Sequence, residues 1–374
     1  MAARNHTKWK QIPGQIKSGE YVDSRIYSDE DIFKKEMNTI FRKVWIPVCH
    51  ESELPEPDRF RTTTIAGVPI MVIRDVDGTI HAVRNALERR PSGKIDSKIV
   101  FDNIPEFLHS DVKYGGFVWV TLNENPPTME DWVDGSFDCM KESLNAEPLD
   151  VFHYHKAIIP CNYKLWHDTN SEFYHDYLHY HNRITGFNDS YFARENKCFN
   201  NGHVNVGSFE VQYDNYDGFE SREELSFPHL PTNHWEMIDM FPGINFNLRG
   251  SALRVDVMTP LSPDKVMIEF RGLGLKSDTD KERIIRQRHH NSIWGPFGRN
   301  LHEDLIAVST QQGTMHKDAE NRRILHGRHE NNTIHDEVGM RHFYDEWGKW
   351  VDLWPGDPSL TYSEGQGLEL QKAA

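Results

Sequence analysis

Asn162-Tyr163-Lys164-Leu165-Trp166-His167-Asp168-Thr169-Asn170-Ser171-Glu172-Phe173-Tyr174-His175-Asp176-Tyr177-Leu178-His179-Tyr180-His181 packs three carboxylates and four histidines into one short segment. The spacing predicts a helix, and on a helix His175 and His179, four apart, share a face. Two imidazoles on one face, joined by a carboxylate from elsewhere, suit a 2-His-1-carboxylate iron site with open positions. The competing reading is a polar helix face with satisfied histidines, since the chain carries 21 histidines in all.

Working outward, residues 1–20 read as a basic lead-in, and Asp29 to Arg42 as a helix capped by Ser28. Strand-like runs follow at Val44–Val48, Arg59–Ile65, Val68–Arg74, His81–Arg84 and Val112–Leu122. Turn signals at Ala66-Gly67 and Asp75-Val76-Asp77-Gly78 separate them, so the region reads as a small antiparallel β domain. Met129 to Ala146 reads as an acidic helix. Val151–Cys161 alternates as a strand with His153 and His155 on one face, read as surface or core-edge histidines. Residues 183–235 read as loops and short strands over a pocket.

Beyond the histidine segment, Glu236–Phe241, Ile244–Leu248, Leu253–Thr259 and Lys265–Leu273 form a β meander, then helices are expected at Asp278–Ile293, Leu301–Met315 and Met340–Trp354. The fold class is therefore α+β. Its parts are a helical lead-in (1–42), a small β domain (43–128), a catalytic domain (129–362) with an antiparallel sheet and long helices, and a tail (363–374).

The net charge of −15 argues against nucleic acid or an anionic membrane as partner. No apolar signal segment or membrane-length run is present, and four scattered cysteines (Cys49, Cys139, Cys161, Cys198) read as free thiols of a cytoplasmic protein.

Several stretches resemble Rieske-type aromatic-ring-hydroxylating oxygenase large (alpha) subunits. They are Ile26-Tyr27-Ser28 through Trp45, His50-Glu51-Ser52-Glu53-Leu54-Pro55, Val72-Ile73-Arg74-Asp75 through Asn85, the histidine segment, Glu303-Asp304 followed by Gln311, and Gly339-Met340-Arg341 through Trp347. The resemblance implies a Rieske-like β domain, a helix-grip-like catalytic domain and a mononuclear Fe(II) cofactor. It makes His175 the first iron ligand and Asp304 the carboxylate ligand. The second histidine is His181 on the longer family spacing, which is preferred, or His179 as a helical pair. Glu172 falls where the family has an acidic bridge between subunits, with an alternative role of fixing His175. Asn162 and Tyr174 are candidates to orient ligands, and Gln311 to hydrogen-bond nearby.

The sequence also departs from this family. Members carry Cys-x-His and Cys-x-x-His as ligands of a [2Fe–2S] cluster. Here the first pair aligns to Leu87 and Arg89, and the second has no counterpart. The expectation is a degenerate Rieske-like domain lacking the cluster ligands, with no [2Fe–2S] cluster.

Three functions then stand open. One is an iron oxygenase of an aromatic or aromatic-acid substrate with electrons from a ferredoxin or Rieske partner. Another is a self-sufficient dioxygenase of an electron-rich phenol. The last is a non-catalytic subunit paired with an intact homologue. The resemblance further implies a homotrimer, or a hetero-oligomer with a related subunit, using dioxygen. Arg183, Arg249 and Arg254 are candidates to pair a substrate carboxylate.

Overall fold

The computed structural model describes residues 21–85, 91–103, 106–180, 182, 187–211, 225–296, 298–315, 323–325, 327, 334–351, 361–363 and 367–369. His181, Leu87, Arg89 and Arg183 lie outside the described residues, as do the lead-in before residue 21 and most of the tail.

Seven antiparallel strands make the N-terminal sheet: β1 (Ile46–His50), β2 (Arg59–Ile65), β3 (Val68–Arg74), β4 (Ile80–Arg84), β5 (Ser92–Lys94), β6 (Phe107–Lys113) and β7 (Phe117–Thr121). Their order is β1-β7-β6-β4-β3-β2-β5. The run expected as one strand over Val112–Leu122 is instead the β6–β7 hairpin. Tyr114, Gly115 and Gly116 all take positive φ, a backbone that glycine adopts freely and that reverses the chain. Gly116 also has no room for a side chain: a Cβ there would lie 2.6 Å from Glu51 Oε1 and 2.8 Å from His50 Nε2.

The second sheet holds β8 (Leu149–Ile159), β9 (Lys197–Phe199), β10 (His203–Glu210), β11 (His234–Met240), β12 (Ile244–Arg249), β13 (Ala252–Ser262) and β14 (Lys265–Leu275). It runs β9-β10-β11-β12-β13-β14-β8, so β8 closes the meander by pairing with its last strand. One apolar core spans both sheets. Phe117 and Trp119 of β7 lie with their ring centroids 5.2 and 6.2 Å from that of Phe246 on β12. Arg271 of β14 adds a buried tie, donating to Glu53 Oε1 at 2.7 Å and to the Val48 carbonyl at 3.1 Å.

The lead-in helix α1 covers Glu30–Glu36 and continues as a π-helical turn, Met37–Phe41. Its cap is Asp29, not Ser28. The Asp29 carboxylate accepts from the N–H groups of Asp31 and Ile32, which a charged acceptor does more strongly than a hydroxyl. Met129 to Ala146 is likewise not one helix but two short ones, Met129–Val133 and Lys141–Asn145, split where Asp134 turns left-handed ahead of Gly135.

The largest departure concerns the histidine segment. Helix α2 covers only Tyr163–Ser171, and Glu172 is already extended. Thr169, Asn170 and Ser171 are weak helix formers whose side chains compete for backbone or tertiary partners. Ser171 Oγ donates to Asp239 Oδ2 at 2.8 Å. His175 then begins a separate 3-10 turn, His175–Tyr177. Helix α2 is buried almost throughout and lies against β13, α4 (Leu301–Met315) and α5 (Val338–Val351). Its Lys164 ammonium is fully buried 2.5 Å from Glu36 Oε1, which also accepts from Trp347 Nε1 at 2.7 Å. Helix α3 (Asp280–Trp294) covers one end of the sheet. Among the described residues, no helix is long and apolar enough to cross a membrane.

Candidate functional site

The segment from the 3-10 turn to His179 and the first turn of α4 bring His175, His179 and Asp304 together. Nε2 of His179 lies 3.0 Å from Asp304 Oδ1, and Nε2 of His175 lies 3.8 Å from the same oxygen. Bonds of about 2.0–2.2 Å to a divalent ion put neighbouring ligand atoms roughly 3–4 Å apart, so these separations suit a shared ion.

Each imidazole is held from behind. His175 Nδ1 lies 2.6 Å from Glu172 Oε1 and 3.0 Å from the Glu172 carbonyl, while His179 Nδ1 lies 2.6 Å from Glu303 Oε2. A carboxylate on Nδ1 fixes the tautomer, leaves Nε2 as the free lone pair and raises its basicity. Glu172 is itself positioned by the N–H groups of Tyr174 and His175, which donate to its Oε2 at 2.8 and 3.1 Å.

The electrostatics favour a cation. Burial opposes charge on His175, but the carboxylates of Glu172, Asp176 and Asp304 outweigh it and lift the imidazole to about 10. Burial also opposes charge on His179, and the hydrogen bond to Asp304 raises it. The negative field that holds a proton on these imidazoles would also attract a divalent metal, which must displace that proton to bind.

Asp176 also comes close, its Oδ1 3.9 Å from His175 Nε2, and with His175 and His179 it forms a group compact enough for a metal. Its oxygens also accept hydrogen bonds, Oδ1 from Asn182 at 3.1 Å and Oδ2 from the Tyr191 hydroxyl at 2.8 Å. Asp304 Oδ1 faces both imidazoles.

The remaining expected residues fall into different roles. Asn162 caps α2, accepting from Lys164 N and donating to the Pro263 carbonyl, away from the cluster. Tyr174 stacks on His335 at 4.8 Å. Gln311 lines a cavity, but the buried amide is its neighbour Gln312, which bonds Asn162 N and the Tyr27 carbonyl. Neither Glu303 as an orienting group nor Asp176 was anticipated; their adjacency to Asp304 and His175 was the available signal.

Two cavities meet at His175, Asp304 and Thr169. The larger, 400 Å³, is acidic, with Asp168, Glu172 and Glu337. The smaller, 80 Å³, reaches His179 as well and is walled by Arg194, Arg249, Arg254, Trp235 and Trp294. Its floor comes from sheet register: Trp235 pairs with Arg249, and Met237 with Asn247, which in turn pairs with Arg254, so these side chains share one face.

Comparison with known proteins gives two family matches. The description "Ring hydroxylating alpha subunit (catalytic domain)" matches residues 146–353, and "Rieske [2Fe-2S] domain" matches residues 44–86. The alpha subunit of methanesulfonate monooxygenase hydroxylase from Methylosulfonomonas methylovora is 55% identical, covering 97% of this chain and 98% of that one. The alpha subunit of 2-aminobenzenesulfonate 2,3-dioxygenase from Alcaligenes sp is 34% identical over 90% of this chain and 94% of its own. Naphthalene 1,2-dioxygenase from Rhodococcus sp. shares the fold, with a TM-score of 0.74 at 17% identity, over 92% of this chain and 97% of that one.

The Rieske match corrects the expectation of a cluster-free, degenerate domain: the β domain is one whose family is defined by a [2Fe–2S] cluster. That expectation rested on Leu87 and Arg89, which follow the matched residues and lie outside the described ones. Within 43–128 the described residues do not themselves supply a ligand quartet. Cys49 is the single cysteine, buried on β1 with its thiol pushed up by burial, and His50 is spent on the Gly115 carbonyl and Ser52.

Proposed function

The chain belongs to the ring-hydroxylating, Rieske-type non-heme iron oxygenase alpha-subunit family, and on that premise we propose that it oxidises a small organosulfonate at one Fe(II) held by His175, His179 and Asp304. The observation that carries the metal assignment is the convergence of two Nε2 atoms on Asp304 Oδ1, each imidazole backed by a glutamate. Two imidazoles and one carboxylate leave open positions, the arrangement of oxygen-activating iron sites. Bound there, iron would supply open coordination sites for dioxygen and relay electrons delivered from outside the site.

The substrate class rests on the cavity and on the relatives. Three arginines and an 80 Å³ volume, below the roughly 300–1,000 Å³ of drug-sized sites, suit a small anion better than an aromatic hydrocarbon. Both relatives carry a sulfonate in the name of their substrate. Hydroxylation of a C–H bond places one oxygen atom in the product and the other in water, and consumes two electrons and two protons. A separate redox protein of the ferredoxin class is the electron source, as in the notion of an alpha subunit working beside partners.

The test is iron content and dioxygen uptake. Purified protein binds one mononuclear iron per chain, counted apart from cluster iron and acid-labile sulfide; His179→Ala removes it and His181→Ala keeps it. With a reductase and ferredoxin, methanesulfonate drives dioxygen uptake, whereas 2-aminobenzenesulfonate and phenols do not. Mononuclear iron retained in His179→Ala would end the ligand assignment, and uptake driven by phenols without a reductant would replace the sulfonate reading with a self-sufficient dioxygenase.

A further inference from the structure

Arg194 follows the short helix Asp189–Phe192 and is 4% exposed. Four rings surround its guanidinium carbon: Tyr191 at 4.4 Å, Phe173 at 4.5 Å, Phe209 at 4.8 Å and Trp235 at 4.8 Å. Ring faces stabilise the cation but accept no hydrogen bond in its plane. The Nε–H donates to the Tyr191 carbonyl at 3.2 Å. Among the described residues neither Nη1 nor Nη2 has an acceptor.

A guanidinium has five N–H groups, and leaving its outer ones buried without partners is costly. Burial accordingly pulls Arg194 down to about 10. A purely structural arginine would have been placed with its plane satisfied, as Arg286 is by Asp278 and the Ser251 carbonyl, or Arg254 in part by Asp256. Arg194 lines the same small cavity as His175, His179 and Asp304. Asn170 lines it too, 6% exposed, with Nδ2 equally without an acceptor.

The backbone is shaped to admit the Arg194 segment. Gly207 on β10 takes φ +77° beside a register shift, and a Cβ there would fall 2.8 Å from the Glu195 carbonyl oxygen and 3.2 Å from Arg194 Cβ. The segment is pressed against the sheet at a strand position without a side chain.

We infer that Arg194 is the specificity-determining residue of the cavity, receiving the sulfonate head of the substrate on its Nη1 and Nη2 edge with Asn170 as a second donor, so that the substrate carbon is turned to the iron side. The inference rests on the sulfonate reading above. A sulfonate stays ionised throughout the working pH range, and it demands a cation that does the same; arginine is that cation, and its fork spans two oxygens at once. The aromatic cage holds the fork rigid, so that little side-chain freedom is lost on binding.

The test uses iron-loaded protein and two probes of like size, methanesulfonate and neutral dimethyl sulfone. Arg194→Gln weakens methanesulfonate binding and raises its KM by roughly 10–100-fold, with a smaller change in kcat, iron content unchanged and the weak dimethyl sulfone affinity unmoved. Arg194→Lys recovers part of the loss, because charge returns without the fork. A structure of the wild-type protein with methanesulfonate, which needs no variant to fold, has sulfonate oxygens within hydrogen-bond distance of Arg194 Nη1 or Nη2. Wild-type binding with equal binding in Arg194→Gln, or a sulfonate seated elsewhere in that structure, overturns the role of Arg194. A wild-type protein that binds no methanesulfonate overturns the sulfonate reading itself.

Discussion

Replacing Glu172 by Gln separates two roles for this carboxylate. Oε1 lies 2.6 Å from His175 Nδ1, and Oε2 accepts two backbone N–H groups. Gln keeps the size and one acceptor oxygen but loses the charge, and its NH2 cannot accept from the backbone. A hydrogen bond to a charged group contributes about 1.5–3 kcal/mol, and each 1.4 kcal/mol is tenfold in an equilibrium constant. Glu172→Gln therefore weakens iron binding by roughly 10–100-fold, the range seen when groups behind a metal ligand are removed. The assay is competition for Fe(II) against a chelator of known affinity, paired with reductant-driven dioxygen uptake at saturating iron. An orienting Glu172 loses affinity and regains most turnover once iron is saturated. Unchanged iron affinity with turnover lost at saturating iron would refute the orienting role and favour an electron bridge between subunits.

Two further predictions concern buried charge. Lys164→Met strands the Glu36 carboxylate in the core and lowers unfolding free energy by about 3–5 kcal/mol in denaturant titrations, while adding Glu36→Gln restores part of it; no loss in the single variant would contradict the pairing at 2.5 Å. Burial lifts Asp168 to about 7 from its ordinary 3.8, against the hydrogen bonds from Tyr27 and Tyr344. Between these values the native chain keeps a proton the unfolded chain has lost, so this group's contribution to stability falls as pH rises from about 4 to 7. Asp168→Asn flattens that slope, and parallel melting curves for the two proteins between pH 5 and 8 would contradict the shift.

How much of this was legible beforehand varies with how local the cause is. β-rich composition and turn residues placed Arg59–Ile65 and Val68–Arg74 at the bounds they have in the fold, because Thr, Val and Ile suit a pleated strand and Ala66-Gly67, both at positive φ, reverse the chain between them. The motifs around His175 and Asp304 carried the family without any coordinates, since chemistry restricts which residues can serve there. The helix expected to carry the histidine pair ends at Ser171 instead, because Ser171 and His167 are drawn to Asp239, a residue 68 positions from Ser171 in the chain.

Tertiary structure also brings His179 against Asp304, where the family spacing favoured His181, a residue outside the described ones. Arg194 had no sequence signal at all. Its cage draws on Phe173, Tyr191, Phe209 and Trp235, which belong to four separate segments, and its unpaired edge exists only where they close around it. Sequence determined the family and the chemically restricted residues, since those depend on side-chain type and near neighbours. The approach of His179 to Asp304, the end of α2 and the caging of Arg194 depend on segments distant in sequence, and only the packed chain decides where they meet.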